Sequence, residues 1–345
     1  MIVDVSEIKE FRHCKRKWQL SSRNSFHLTP CITPNAFKLG TVFHECLHKL
    51  YLGKDEAEVE QYCRDQLKTE DPKDATLILS MVRGYSRNVI PQDEHFVPID
   101  IEWHFKFTPF DLLDSEGLQI ADDLDIMEAL QDVTIAGSID MIALNNDTNE
   151  IWGFEHKTAK NFRNDVYLWM DEQPRVYYAA LKLWVEYFNL RTYEQWVAAK
   201  TEFEKANQGQ HYTVPVPEPV TLGGVYINEV RKLLRAFEYK RSPLRYPVDD
   251  LRNFMLSFVT SCAECHKYVN NPHLPRNPEP DMMTCMNCQF NTICQMYQYH
   301  NLTLDELLKE FKLEYEVRKE DHLQEKEEVN NGGNQEPRSS ENQGS

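Results

Sequence analysis

Residues 133–144 and 151–155 are two apolar, β-branched runs separated by the turn signal Asn145-Asn146-Asp147, and this strand–turn–strand pattern constrains the chain more than any other feature. The first run carries Asp140; the second ends on Glu155, followed by His156 and Lys157. Adjacent strands lie roughly 5 Å apart, so the two carboxylates can converge on one cation. Mg2+ and Mn2+ prefer such oxygen ligands, completed by water and phosphate. Side chains alternate along a strand, which puts Lys157 on the same side as Glu155. An ammonium there can orient an attacking water and offset charge on phosphorus. Taken singly, each residue has a bland alternative, since acid-x-Lys pairs are common on surface strands and Asp140 could face a turn.

Around this hairpin the chain reads as α/β. Ser6 caps a short helix through residue 18, with Ile8, Phe11 and Cys14 on one face. Residues 41–51 form a second helix with Val42, Cys46, Leu47 and Leu50 inward. Polar helical sequence continues to residue 90, and residues 97–105 alternate as a strand. A helix is expected over 166–188, a strand or alternatively a helix at 223–228, and an ordered proline-rich loop at 272–280. Beyond residue 320 the Glu-, Gln-, Asn- and Gly-rich sequence cannot bury a core, and disorder is expected.

Three more segments carry chemistry. Leu39-Gly40-Thr41-Val42-Phe43-His44-Glu45 precedes the hairpin; Gln173 and Tyr177 follow it, one helical turn apart; Gly224-Val225-Tyr226-Ile227-Asn228 leads into Arg231-Lys232. Alone, His44 would be a core or surface histidine, and Gln173 with Tyr177 an ordinary helix face. Together and in this order they resemble the PD-(D/E)XK nuclease superfamily, especially its RecB-like and Cas4-like branch, over most of residues 5–294. The resemblance implies a restriction-endonuclease-like fold, a small mixed sheet flanked by helices. It implies that His44, Asp140 and Glu155, with the His156 carbonyl, hold Mg2+ or Mn2+. Lys157 would position the water, and Gln173 and Tyr177 would complete the site and touch the strand, in exonucleolytic hydrolysis of DNA. Glu155 fills a position where the family's own formula allows Asp or Glu. The competing reading is a catalytically silent protein that binds DNA ends or assists recombination.

Nine cysteines, several closely spaced, favour metal or cluster ligation in a reducing compartment over disulfides. Cys285, Cys288 and Cys294 form a tight group, and Cys14 lies far upstream. This arrangement is similar to the iron–sulfur nucleases of the same branch, which implies a [4Fe–4S] cluster on these four thiolates, stapling the N- and C-terminal segments. Lys15 follows Cys14 where the family often has proline. Spacing alone fits a zinc ribbon nearly as well: the pairs Cys262/Cys265 and Cys285/Cys288 are 19 residues apart. That reading leaves Cys14 and Cys294 over, and makes the end an interaction module. The expected layout is a nuclease domain with its cluster over 1–300, a helix over 301–319 and an acidic tail over 320–345.

The net charge of −17 speaks against a nucleic-acid partner only superficially, because phosphate affinity is local. Residues 301–345 hold 12 acidic against 6 basic side chains, and basic residues gather at Arg16-Lys17 and Arg231-Lys232. These four are candidate phosphate contacts. No apolar run is long enough for a bilayer, and the first residues lack a secretory pattern, so a soluble cytoplasmic protein is expected. DNA is the expected partner, and a replication or recombination protein is a candidate second one. No motif indicates the oligomeric state.

Overall fold

The computed structural model describes residues 1–31, 35–115, 124–207, 212–234, 236–269, 282–299, 306, 309 and 315–318. The chain begins with β1 (Ile2–Val3), α1 (Val5–His13), α2 (Lys15–Ser21), β2 (Leu28–Pro30), α3 (Asn35–Tyr51), α4 (Glu56–Gln66) and α5 (Pro72–Asn88). It continues with β3 (Phe96–Phe107), α6 (Pro109–Ser115), α7 (Leu124–Gln131), β4 (Thr134–Asn145), β5 (Glu150–Ala159), α8 (Asp165–Met170) and α9 (Glu172–Ala206). The last elements are β6 (Thr221–Arg231), β7 (Tyr239–Leu244), α10 (Val248–Tyr268), α11 (Met282–Met286), α12 (Asn291–Tyr299) and β8 (Tyr315–Val317). Two compact units result: Met1–Lys9 with Thr33–His266, and Glu10–Ile32 with Lys267–Ser345.

The first unit is built on a mixed sheet in the order β1-β4-β5-β6-β7, with β3 paired along β4. The β4–β5 hairpin turns on Asn145, whose side chain accepts from Asp147 N (2.9 Å) and Thr148 N (3.3 Å). Its ladder runs only from Asn145↔Glu150 to Met141↔Phe154. Along its whole length, Glu150 to Ala159, β5 also pairs parallel with β6, while β4 takes β1 as partner at Thr134 and Ile135. The sheet therefore forks just where Asp140 and Glu155 stand.

Period-two alternation sorts β5 cleanly. Trp152, Phe154 and His156 face α3 and α5; the His156 ring stacks on Tyr51 at 5.7 Å and meets Tyr85 edge-on at 5.8 Å. Gly153 and Glu155 face α9: a Cβ on Gly153 would lie 2.6 Å from Leu181 Cδ1, so glycine permits the close approach of this helix. Helices α3, α4 and α5 share a core that includes Phe43, Leu47, Ile78, Val82 and Tyr85 and reaches Val230 of β6. Sheet and helices thus form the mixed α/β architecture expected, consistent with a restriction-endonuclease-like fold.

In the second unit, Leu20, Leu28, Phe290, Ile293 and Tyr315 make a small core, and β2 pairs antiparallel with β8. Tyr315–Val317 are thus a strand within a stretch expected to be helical. The proline-rich loop and the acidic tail lie outside the described residues. Two other expectations need correction. The helix over 6–18 is two helices, because Cys14 is extended (φ −155°, ψ 103°) and caps α2, its sulfur accepting from Lys17 N at 3.4 Å. The helix over 166–188 breaks at Asp171, which caps α9, and α9 then runs on to Ala206.

Candidate active site

At the fork, the His156 N–H no longer has a ladder partner on β4. It donates instead to Asp140 Oδ2 at 2.6 Å. His44, on α3, places Nδ1 3.4 Å from Asp140 Oδ1. On the α9 face, Glu155 is almost wholly buried, contacts the Lys157 ammonium, and accepts from Gln173 Nε2 at 3.3 Å. Gln173 Nε2 also donates to Tyr177 Oη at 2.6 Å. The six side chains His44, Asp140, Glu155, Lys157, Gln173 and Tyr177 are thus brought together from α3, the two forked strands and the first turns of α9.

The charges follow from burial and from one another. Burial opposes the charge of Asp140, yet His44 and the His156 amide hold its carboxyl below the usual range. Burial likewise opposes a charged His44, but Asp140 overrides it and raises the imidazole. Burial first and Asp140 second push Glu155 up to about 7. Lys157 is also raised, its burial outweighed by Glu155. Contact with Lys157 alone would hold Glu155 down; burial, and after it the repelling Asp140 carboxylate, outweigh that contact. His156 is pushed down to about 3 by burial and stays neutral at physiological pH.

Two carboxylates crowded into one buried place, one of them driven toward protonation, have the chemistry of a divalent-cation site. The sequence model of the PD-(D/E)XK nuclease superfamily matches residues 3–295. The chain belongs to this superfamily. No curated protein matches it. Nucleases of this superfamily generally use divalent metals such as Mg2+, and His44, Asp140 and Glu155 offer one nitrogen and two carboxylates of the right kind. Among the described residues, no three His, Cys, Asp or Glu side chains are already drawn into a ligand set. In this member of the superfamily the Glu155 carboxylate is engaged by Lys157 and Gln173.

The cysteines sort by unit. Cys14, Cys285, Cys288 and Cys294 all belong to the second unit, with Cys285, Cys288 and Cys294 on α11, α12 and the turn between them. Cys288 N donates to Cys285 O at 3.2 Å, and Cys294 N to Phe290 O at 2.8 Å. Burial pushes the Cys288 thiol up, and Cys14 and Cys294 are near enough to add to that rise. Cys262 and Cys265 are fully buried on α10, in the first unit, in a row with Phe258 and Val259. Of the basic candidates, Lys17 pairs with Glu10 (2.5 Å) and Arg231 with Glu238 (2.6 Å), Arg16 donates to Gln19 (2.9 Å), and Lys232 is half-buried without an ion pair among the described residues.

Sequence reasoning missed the layer behind the site. Arg241 holds Asp93 with two hydrogen bonds (2.5 and 2.8 Å) and donates to Asn228 Oδ1 (2.8 Å). Asn228 Nδ2 reaches Tyr85 Oη (3.2 Å) and His156 Nδ1 (3.3 Å), and Tyr51 donates to Asp93 (2.7 Å). This chain of contacts ends on the residue whose amide grips Asp140. His48 was also missed, one turn beyond His44, with Nδ1 3.4 Å from Glu102 Oε1 and Nε2 buried without a partner. The spacing His44-x-x-x-His48 was the available signal.

Proposed function

We propose that this protein is a Mg2+- or Mn2+-dependent DNA exonuclease that hydrolyses phosphodiester bonds of single-stranded DNA or DNA ends, in replication, recombination or repair. The observation that carries the reading is the fork between β4 and β5, which presents Asp140 and Glu155 off the ladder with Lys157 two residues on. In this reading His44, Asp140 and Glu155 hold the cation. A bound cation would lower the pKa of its water and polarise the phosphoryl oxygen. Lys157 then trades its contact with Glu155 for the attacking water, which it orients. Gln173 and Tyr177 fix the Glu155 carboxylate and border the path of the strand. Lys232 contributes to phosphate contact.

The second unit, in the same reading, holds a [4Fe–4S] cluster on Cys14, Cys285, Cys288 and Cys294, a structural staple within a nuclease domain spanning residues 1–300. The thiol chemistry fits, and Cys14 and Cys294 are near enough to Cys288 to help raise its thiol. Zinc on Cys262, Cys265, Cys285 and Cys288 is the rival; the burial of Cys262 and Cys265 along one helix speaks against it.

The test is degradation of end-labelled linear single-stranded DNA with Mn2+, comparing anaerobically purified wild type with Asp140→Ala. Shortening by the wild type alone is expected, with a covalently closed circle left intact. If a folded wild type leaves every DNA untouched, the silent DNA-binding reading replaces this one.

A further inference from the structure

Helix α8 leaves the site and returns to it. The chain departs at Lys157, and after α8 it re-enters at Gln173, which is hydrogen-bonded to Glu155. Met170 and Gln173 are three positions apart, so their Cα atoms are within about 10 Å. This short helix exposes Val166 by 63%, Tyr167 by 74% and Met170 by 59%. Scattered single apolar residues on a surface need no account, but three on one short helix that ends three positions before Gln173 do.

The exposure is not looseness. Leu168 is fully buried, Asn164 caps the helix by accepting from Val166 N at 2.9 Å, and Asp165 is tied to Lys240 at 2.6 Å. A side chain held outward on a rigid support loses little freedom when something packs on it. Just past the paired ends of β5 and β6, Lys160 and Lys232 are cations without an ion pair among the described residues, and Lys232 N donates to Ala159 O at 2.9 Å.

We propose that Val166, Tyr167 and Met170 form a stacking platform for the unpaired bases of a single DNA strand whose phosphates cross Lys160 and Lys232 into the site. The inference rests on the nuclease reading and deepens it by assigning the surface that would hold the single strand. In a duplex the base faces are hidden and charged phosphates would meet an apolar surface; only unpaired bases offer faces to an exposed tyrosine. Stacking on Tyr167 supplies affinity without sequence preference, and the two lysines supply the salt-dependent part.

The experiment is equilibrium binding in EDTA of fluorescein-labelled oligo-dT, and of a duplex of equal length, by anisotropy. Tyr167→Ala is expected to weaken single-strand binding roughly tenfold or more and to leave duplex binding within about twofold. Tyr167→Phe keeps wild-type affinity. Lys160→Gln combined with Lys232→Gln reduces the single-strand salt slope by about 1.4 with the Tyr167 effect intact. Equal losses for both DNAs, or no loss in a wild type that cleaves DNA, overturn this proposal alone. So does self-association of the wild type that Tyr167→Ala abolishes while DNA binding persists. A folded wild type that neither binds nor cleaves DNA overturns the nuclease reading itself.

Discussion

Severing Asp93 from Arg241 should be the costliest single change behind the site. Asp93 is 3% exposed and Arg241 15%, and two hydrogen bonds of 2.5 and 2.8 Å join them. The guanidinium also lies over the rings of Phe154 (5.3 Å) and Tyr226 (5.2 Å). Arg241→Met fills much of the same volume but strands a buried carboxylate, whose remaining donor is Tyr51. Removing one partner of such a pair costs about 3–5 kcal/mol. Asp93→Leu leaves the cation uncompensated and should cost about as much. In a unit of this size that corresponds to a drop in Tm of roughly 6–20 °C. The double variant leaves no orphaned charge, so its cost should fall short of the sum of the two by about 2 kcal/mol or more. Urea titration of the four proteins of the cycle, with thermal melts alongside, measures this. Single variants within about 1 kcal/mol of wild type, or costs that simply add, would refute the argument that the pair is buried and mutually dependent.

Three other outcomes follow from the geometry. Glu155 has a folded pKa raised to about 7, so its proton stabilises the fold fully below the usual carboxylate range, and that contribution is lost as pH rises through about 7. In divalent-free buffer, wild type should therefore lose up to about 3 kcal/mol relative to Glu155→Gln between about pH 5 and 7.5; parallel stability curves would sink this. Gly224 sits at φ +144° with Leu244 O 2.5 Å from where a Cβ would stand, so Gly224→Ala should cost at least about 2 kcal/mol in a urea titration, while Gly40→Ala, with open space around it, should cost nothing. Anaerobically purified protein should carry about four irons and acid-labile sulfide per chain, lost in Cys14→Ser; zinc without iron, lost in Cys262→Ser, would instead establish the ribbon.

What was legible in the chain was what is local. The β4–β5 hairpin could be read because its alternation and its Asn145 turn are short-range facts, and parity alone placed Lys157 with Glu155. Asp171 was a readable cap, with Pro174 just inside α9, and treating 166–188 as one helix overlooked it. Cys14 was not readable in the same way, since cysteine is an uncommon cap and its position rests on the Lys17 amide. Least visible was the layer behind the site: Asp93 and Arg241 are 148 positions apart, and each alone looks like a solvated charge.

That hidden layer bears on how the visible motif is held. In a continuous β4–β5 ladder the His156 amide would bond to β4 backbone and could not donate to the Asp140 carboxylate. The fork removes the ladder at that point, since β1 rather than β5 takes Thr134 and Ile135 of β4. It leaves an amide at His156 that must find an acceptor, and Asp140 supplies it. The amide's aim depends on the His156 ring, which is neutral, stacked on Tyr51 and held from behind through Asn228 by Arg241. Asn228→Ala should therefore act as a positioning change: lower kcat with KM little altered, and a fold that still melts cooperatively. A matching loss in Asn228→Asp, which keeps the acceptor for Arg241 but not the donors to Tyr85 and His156, would place the effect on the His156 side of that amide rather than on the Arg241 side.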